Sequence, residues 1–190
     1  MLSVESGLQL LQAYRLALAS GSTESLQLEP VAVGAVLHDV AHQLDPYAKQ
    51  YSTNLQIDVR GRLKPVLAHR PSLVAAIQVL SASLIRAQNA ESQQKSYTIL
   101  LAAHKNGESG IAAGVFSDVA GLSDKTLRSA RALVGKARQP LPNLPSGAAS
   151  GVLIADMLCA AMWAPLRASA HRGMNGLSTS VPSSKQLNFV

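Results

Sequence analysis

Gly147-Ala-Ala-Ser-Gly151-Val-Leu-Ile154 sets two glycines four apart at the opening of an apolar helix, directly behind a Pro/Gly/Ser loop over residues 139–149. A helix N-terminus presents unpaired N–H groups and the positive end of the helix dipole, and glycines let a phosphate approach the backbone. The same spacing also fits a plain helix start, so the elements around it carry the argument.

Working upstream, Ser123 and Asp124 can cap a helix bearing Leu127, Ala130 and Leu133, which Gly135 can close. Before it, Ser96 to Ala103 and Gly110 to Phe116 read as strands joined by Lys105-Asn106-Gly107, a hairpin signal. Pro71 suits the first position of a long apolar helix, Ser72 to Ala90. Leu55 to Val59 alternates like a strand, Arg60-Gly61-Arg62 makes a turn, and Lys64 to His69 forms a second strand. A helix from near Pro30 to past Pro46 carries the stripe Val33, Val36, Leu37, Val40 and Leu44. Val4 to Ala19 reads as a first helix, ended by the Ser/Gly stretch Ser20 to Ser25. Downstream, a helix covers Ser150 to Trp163, followed by strands near Leu166 to His171 and Leu177 to Val181. Helices mixed with strand pairs imply an α+β fold, with helices on one face of a mixed sheet.

Composition narrows the function classes. The 190 residues are 47% hydrophobic and 15% charged, which suits a packed core and excludes disorder as the main state. No span reaches the roughly 18 apolar residues of a membrane helix, and the first residues lack the basic start of a signal peptide. The single Cys159, inside an apolar helix, reads as a core thiol in a reducing compartment, so the expected location is cytoplasmic. The net charge of +6 admits an anionic partner. Lys125, Arg128, Arg131, Lys136 and Arg138 form one modest basic cluster. A noncatalytic nucleic-acid binder is the rival class, against which stand aromatics of only 4%, since single-strand binders stack bases on aromatic side chains. His38 and His42 have helical metal-ligand spacing but lie opposite the apolar stripe, and zinc needs three or four ligands. There is no P-loop, serine-hydrolase elbow or dinucleotide-binding glycine fingerprint.

From about Gly7 to Val190 the chain resembles the ATP-binding catalytic domain of sensor histidine kinases, the GHKL ATPase superfamily. Gly7-Leu-Gln-Leu-Leu-Gln, Leu28-Glu-Pro-Val-Ala-Val and Leu37-His-Asp-Val look like the end of a dimerisation hairpin leading into that domain. Gly173-Met-Asn-Gly176-Leu-Ser-Thr-Ser-Val-Pro182 looks like its closing hairpin. Gly147 and Gly151 match the outer glycines of the G2 box (G-x-G-L-G-L), Ala149 replaces the middle one, and Val152 stands for the final Leu. The G1 box is D-x-G-x-G, whose Asp reads the adenine amino group. Ser117-Asp-Val-Ala-Gly121-Leu122 keeps its last Gly, with Ser117 in the Asp slot of an ungapped match and Asp118 there after a one-residue deletion. The N box departs furthest, with Ser83 and Ala87 where two Asn belong. Alanine offers no oxygen to Mg²⁺. No H box (His-Glu followed by Leu-Arg-x-Pro) supplies a phosphoacceptor.

The resemblance implies a two-layer α/β sandwich over residues 30–190, its sheet mostly antiparallel with helices on one face, plus an N-terminal helical arm over residues 1–29. It implies ATP or ADP as ligand, with Asp118 reading adenine, Gly121 and Leu122 shaping that pocket, and Gly147 and Gly151 admitting phosphates. Arg128 and Arg131, three apart, would pair with phosphates. The departures point to a degenerate module, a pseudokinase or regulatory scaffold in signalling with weak or no nucleotide binding and no Mg²⁺ bridge. An active histidine kinase or ATPase is the alternative. The N-terminal helix, apolar beyond one stripe, implies a homodimer, alongside a signalling protein partner.

Overall fold

The computed structural model describes residues 26–91, 97–107, 110–117, 123–132 and 148–184. The expected helix Val4 to Ala19 lies outside them, as do Gly135 and most of the loop over residues 139–149.

The chain enters through a short strand, β1 (Glu29–Val31), then α1 (Val33–Gln50), β2 (Thr53–Val59), β3 (Val66–Ala68) and α2 (Arg70–Glu91). Strands β4 (Tyr97–Asn106) and β5 (Gly110–Ser117) follow, then α3 (Asp124–Arg131), α4 (Ala148–Ala161), β6 (Arg167–His171) and β7 (Met174–Pro182). Five strands form one sheet in the order β2-β4-β5-β7-β6, while β1 and β3 form a separate antiparallel pair. Only β2–β4 is parallel in the larger sheet. This is an α+β sandwich with a mixed, mostly antiparallel sheet.

Two sequence expectations change. Pro30 does not begin a helix: it pairs with Leu67 in β1, a two-stranded edge where a missing N–H is tolerated. The strands on either side of Arg60-Gly61-Arg62 do not pair with each other. β2 runs parallel to β4, which requires a crossover, and α2 supplies it. The Lys105-Asn106-Gly107 hairpin forms as expected, with Gly107 at φ +69, a left-handed value that glycine adopts without strain.

Strand alternation divides the sheet into two faces. Ile99, Leu101, Ala103, Ile111, Ala113, Val115, Leu177 and Val181 join one core with Leu37, Val40, Leu80, Leu84, Leu127 and Leu158 from helices α1 to α4. The opposite face carries a small cluster of Leu100, Ala102 and Phe116 with Met174 beside it. There His171 Nε2 meets Asp58 Oδ2 at 2.7 Å, and its ring stacks on His104 with centroids 5.1 Å apart. Arg60 and Arg172 also pair with Asp58.

Helix α4 ends in a paired-hydrogen-bond cap. Trp163 N donates to Ala160 O at 2.9 Å and Ala164 N donates to Cys159 O at 3.0 Å. This arrangement puts Trp163 at φ +61, the position that glycine usually fills. A residue with a Cβ there costs roughly 1–2 kcal/mol.

Candidate functional site

The helix layer brings the N-box-like and G2-like segments together. Where α2 crosses α4, Ser83 faces Gly151 so closely that a methyl group at position 151 would lie 1.6 Å from Ser83 Oγ. Ser83 is fully buried, and its hydroxyl has no hydrogen-bond partner among the described residues. Val152, the next residue of α4, is fully buried too. The lack of a side chain at Gly151 is therefore used by helix packing. The sequence reading gave that glycine to phosphate approach. Ala87 follows Ser83 one turn later on α2.

The G1-like segment begins where β5 ends. Ser117 lies opposite Ile99 of β4 and Asn175 of β7 and is 1% exposed. Its Oγ donates to the Thr98 carbonyl at 3.2 Å. Ser117 thus belongs to the sheet. Asp118, Gly121 and Leu122, like Gly147, lie outside the described residues.

The two arginines of α3 have different fates. Arg128 is exposed and pairs with Asp124 one turn earlier on the same helix. Arg131 reaches across to α4, where Nε and one terminal nitrogen hold the two oxygens of Asp156 at 2.8 and 2.9 Å. The same terminal nitrogen donates to the Leu166 carbonyl at 2.7 Å, and Leu166 N donates to Asp156 Oδ1 at 3.0 Å. Asp156 is the single acidic residue of an otherwise apolar helix segment, and its side chain is 11% exposed. Its hydrogen bonds with Arg131, more than anything else, hold the guanidinium in its charged form. In this arrangement the Arg131 fork ties α3, α4 and the start of β6 into one unit. The three-residue spacing of Arg128 and Arg131 does not make a shared anion cradle, because their partners lie on different elements.

These contacts decide which groups fit the ligands that the resemblance implies. Ser83 Oγ is an orphaned buried oxygen, but it is packed on Gly151 rather than open to a metal. Alanine at position 87 has no oxygen at all. The N-box positions therefore do not fit an Mg²⁺ bridge, which needs near-octahedral oxygen ligation. His38 and His42 both lie on the exposed side of α1. Among the described residues, no group of three or more His, Cys, Asp or Glu is placed to hold a metal ion. Cys159 is fully buried, and burial pushes its thiol up to about 12, so it is a core group.

The sequence reading missed the Asp58–His171–His104 cluster. Asp58 falls on the polar phase of the alternating strand, which marks its face but not its partner, 113 residues away in the chain.

No protein-family profile matches the sequence, and no curated protein matches it. Solved structures do match. Full-length ShkA in complex with AMPPNP superposes with a TM-score of 0.68 at 19% identity, covering 96% of this chain and 37% of that one. The histidine kinase AdeS of Acinetobacter baumannii gives 0.64 at 12% identity, covering 95% of this chain and 80% of AdeS. A histidine kinase from Burkholderia phymatum STM815 gives 0.60 at 13%, covering 96% of each chain. The chain thus spans little more than a third of ShkA. At these identities the likeness is one of fold: this chain has the architecture found in histidine kinases.

Proposed function

We propose that this chain is a histidine-kinase-like module of signal transduction whose nucleotide site is degenerate, acting through protein contacts as a regulatory scaffold. The observation that carries this reading is Ser83. At the position where the family uses an Asn, a short hydroxyl is buried beneath Gly151, and Ala87 adds no ligand one turn on. Phosphoryl transfer depends on metal ions that bridge and neutralise the phosphates, and these two positions give Mg²⁺ no hold.

On this reading ATP or ADP binds weakly or not at all. Asp118 is the adenine reader, because the Ser117 hydroxyl is already bonded within the sheet. Gly121 and Leu122 shape the pocket wall, Gly147 lies beside the phosphates, and Arg128 is the arginine of α3 left to meet them. The arm over residues 1–29 pairs two copies in the cytoplasm, and a further signalling protein docks on the pair.

Isothermal titration with ATP and ADP, with and without Mg²⁺, tests the proposal. The expected result is no heat, or weak binding that Mg²⁺ does not tighten and that Asp118→Asn lowers further. Micromolar binding strengthened by Mg²⁺, accompanied by ATP turnover, would establish the active alternative.

A further inference from the structure

Trp163 is the only tryptophan of the chain and is 90% exposed. It sits at φ +61, in a cap position that glycine fills without strain. An indole kept on a strained, solvent-facing turn contributes little to the core, and outliers of this kind point toward a function. The other exposed large apolar side chain among the described residues is Val59, at 36%. Among the described residues Trp163 therefore does not top the broad apolar patch on which a protein interface is built.

Arg131 reaches the Leu166 carbonyl and so brings α3 against the turn that carries Trp163. The acidic residues of these elements, Asp124 and Asp156, are both engaged by arginines. Lys125 on α3 and Arg167 at the start of β6 are exposed and form no ion pair among the described residues. Arg167 lies four residues beyond Trp163 and opens an edge strand of the sheet.

An exposed indole four residues from an exposed arginine that forms no ion pair among the described residues has the chemistry of a membrane-interface anchor. Tryptophan favours the headgroup boundary, where an apolar ring and a polar N–H are both accommodated, and Lys or Arg near the surface is drawn to anionic lipid. We propose that the α4–β6 turn is a peripheral docking site for an anionic lipid surface, with Trp163 seated at headgroup level and Arg167 facing the lipid phosphates. The contact is interfacial: no helix among the described residues is long and apolar enough to cross a membrane.

The test mixes the full chain with vesicles of phosphatidylglycerol and phosphatidylcholine, and separately with phosphatidylcholine alone. Because Trp163 is the sole tryptophan, intrinsic emission reports on this turn directly. The expected result is a blue shift and co-sedimentation with the anionic vesicles, both reversed by salt. Arg167→Gln should weaken partitioning about fivefold, and Trp163→Gly at least about tenfold. Trp163→Gly should melt no lower than the parent, since glycine adopts this φ freely; that separates lost docking from lost folding. Unshifted emission, or sedimentation that Trp163→Gly leaves intact, would overturn the proposal. So would a blue shift that grows with protein concentration without vesicles, which would assign the indole to a second copy of the chain.

Discussion

Gly151→Ala is the sharpest perturbation of the α2–α4 crossing. The new methyl would lie 1.6 Å from Ser83 Oγ, 2.6 Å from Ser83 Cβ and 3.2 Å from the Val79 carbonyl oxygen. Rotating the Ser83 hydroxyl relieves only the first contact. The second involves an atom fixed to the α2 backbone, so the two helices must separate. Overpacking of this kind costs about 1–3 kcal/mol, and two short contacts on rigid atoms place it in the upper half of that range. Alanine returns up to about 1 kcal/mol through its better helix propensity. The net loss is then about 1–3 kcal/mol, or a melting temperature lower by about 2–12 °C for a chain of this size. Ser83→Gly removes both offending atoms and an unpartnered buried hydroxyl, so it should rescue Gly151→Ala with a coupling of at least about 1 kcal/mol in a double-mutant cycle. Gly34→Ala is the control. Its methyl would meet Val59 at 3.8 Å, an ordinary contact, and should stabilise α1 by up to about 1 kcal/mol. Thermal melts of the four variants decide the matter. If Gly151→Ala melts at or above the parent, or if Ser83→Gly gives no rescue, the helices do not meet where described and the packing role of Gly151 is wrong.

Arg131→Met should cost about 2 kcal/mol in urea unfolding, because it strips a nearly buried carboxylate of its partner, and Lys should not restore it because it lacks the planar fork. Arg128→Ala, which removes an exposed pair, should change stability by less than about 0.5 kcal/mol. Acid should loosen the face opposite the helices first. Burial, with the neighbouring His171 and Arg60, lowers His104 from its ordinary 6.5, and the His171 hydrogen bond lowers Asp58 from 3.8. The unfolded chain therefore takes up these protons before the folded one, and stability falls as pH drops below about 6.5 and again below about 4. At the alkaline end burial raises Cys159 from 9.0 and Tyr47 from 10.0, each to about 12, so the unfolded chain loses protons first and stability falls above pH 9. Urea midpoints between pH 3 and pH 11 should show a plateau between these limits; a midpoint still rising below pH 6 would contradict the assigned His104 and Asp58 environments.

Much of the fold was legible because its signals are local. The stripe of α1, the alternation of β2 and the Asn106-Gly107 turn each follow from residues within one element, and the described elements match them to within a few residues. The missed features share a different cause. Pro30 joins β1 because Leu67 lies opposite, and β2 chooses β4 rather than β3 because α2 can cross between them. Neither choice is visible in the segment that makes it, since β pairing is decided by partners distant in sequence.

The site was legible only as an order of segments, and the reason is chemical. Gly151 matches a phosphate-binding box by spacing, yet a glycine that admits a phosphate and one that admits a neighbouring helix look alike in one dimension. In the fold it meets Ser83, 68 residues earlier, and the pair must be read together. Arg131 repeats the lesson with charge. Beside Arg128 it looks like half of an anion clamp, but Asp156, embedded in an apolar helix, would be costly to bury unpaired and claims the guanidinium. Arg131 and Gly151 thus serve as struts of the helix layer. Interhelical contact and ligand contact select the same small and cationic residue types, so spacing along the chain does not tell one from the other. At Ser83–Gly151 and Arg131–Asp156 the contact that the fold supplies is with the protein itself.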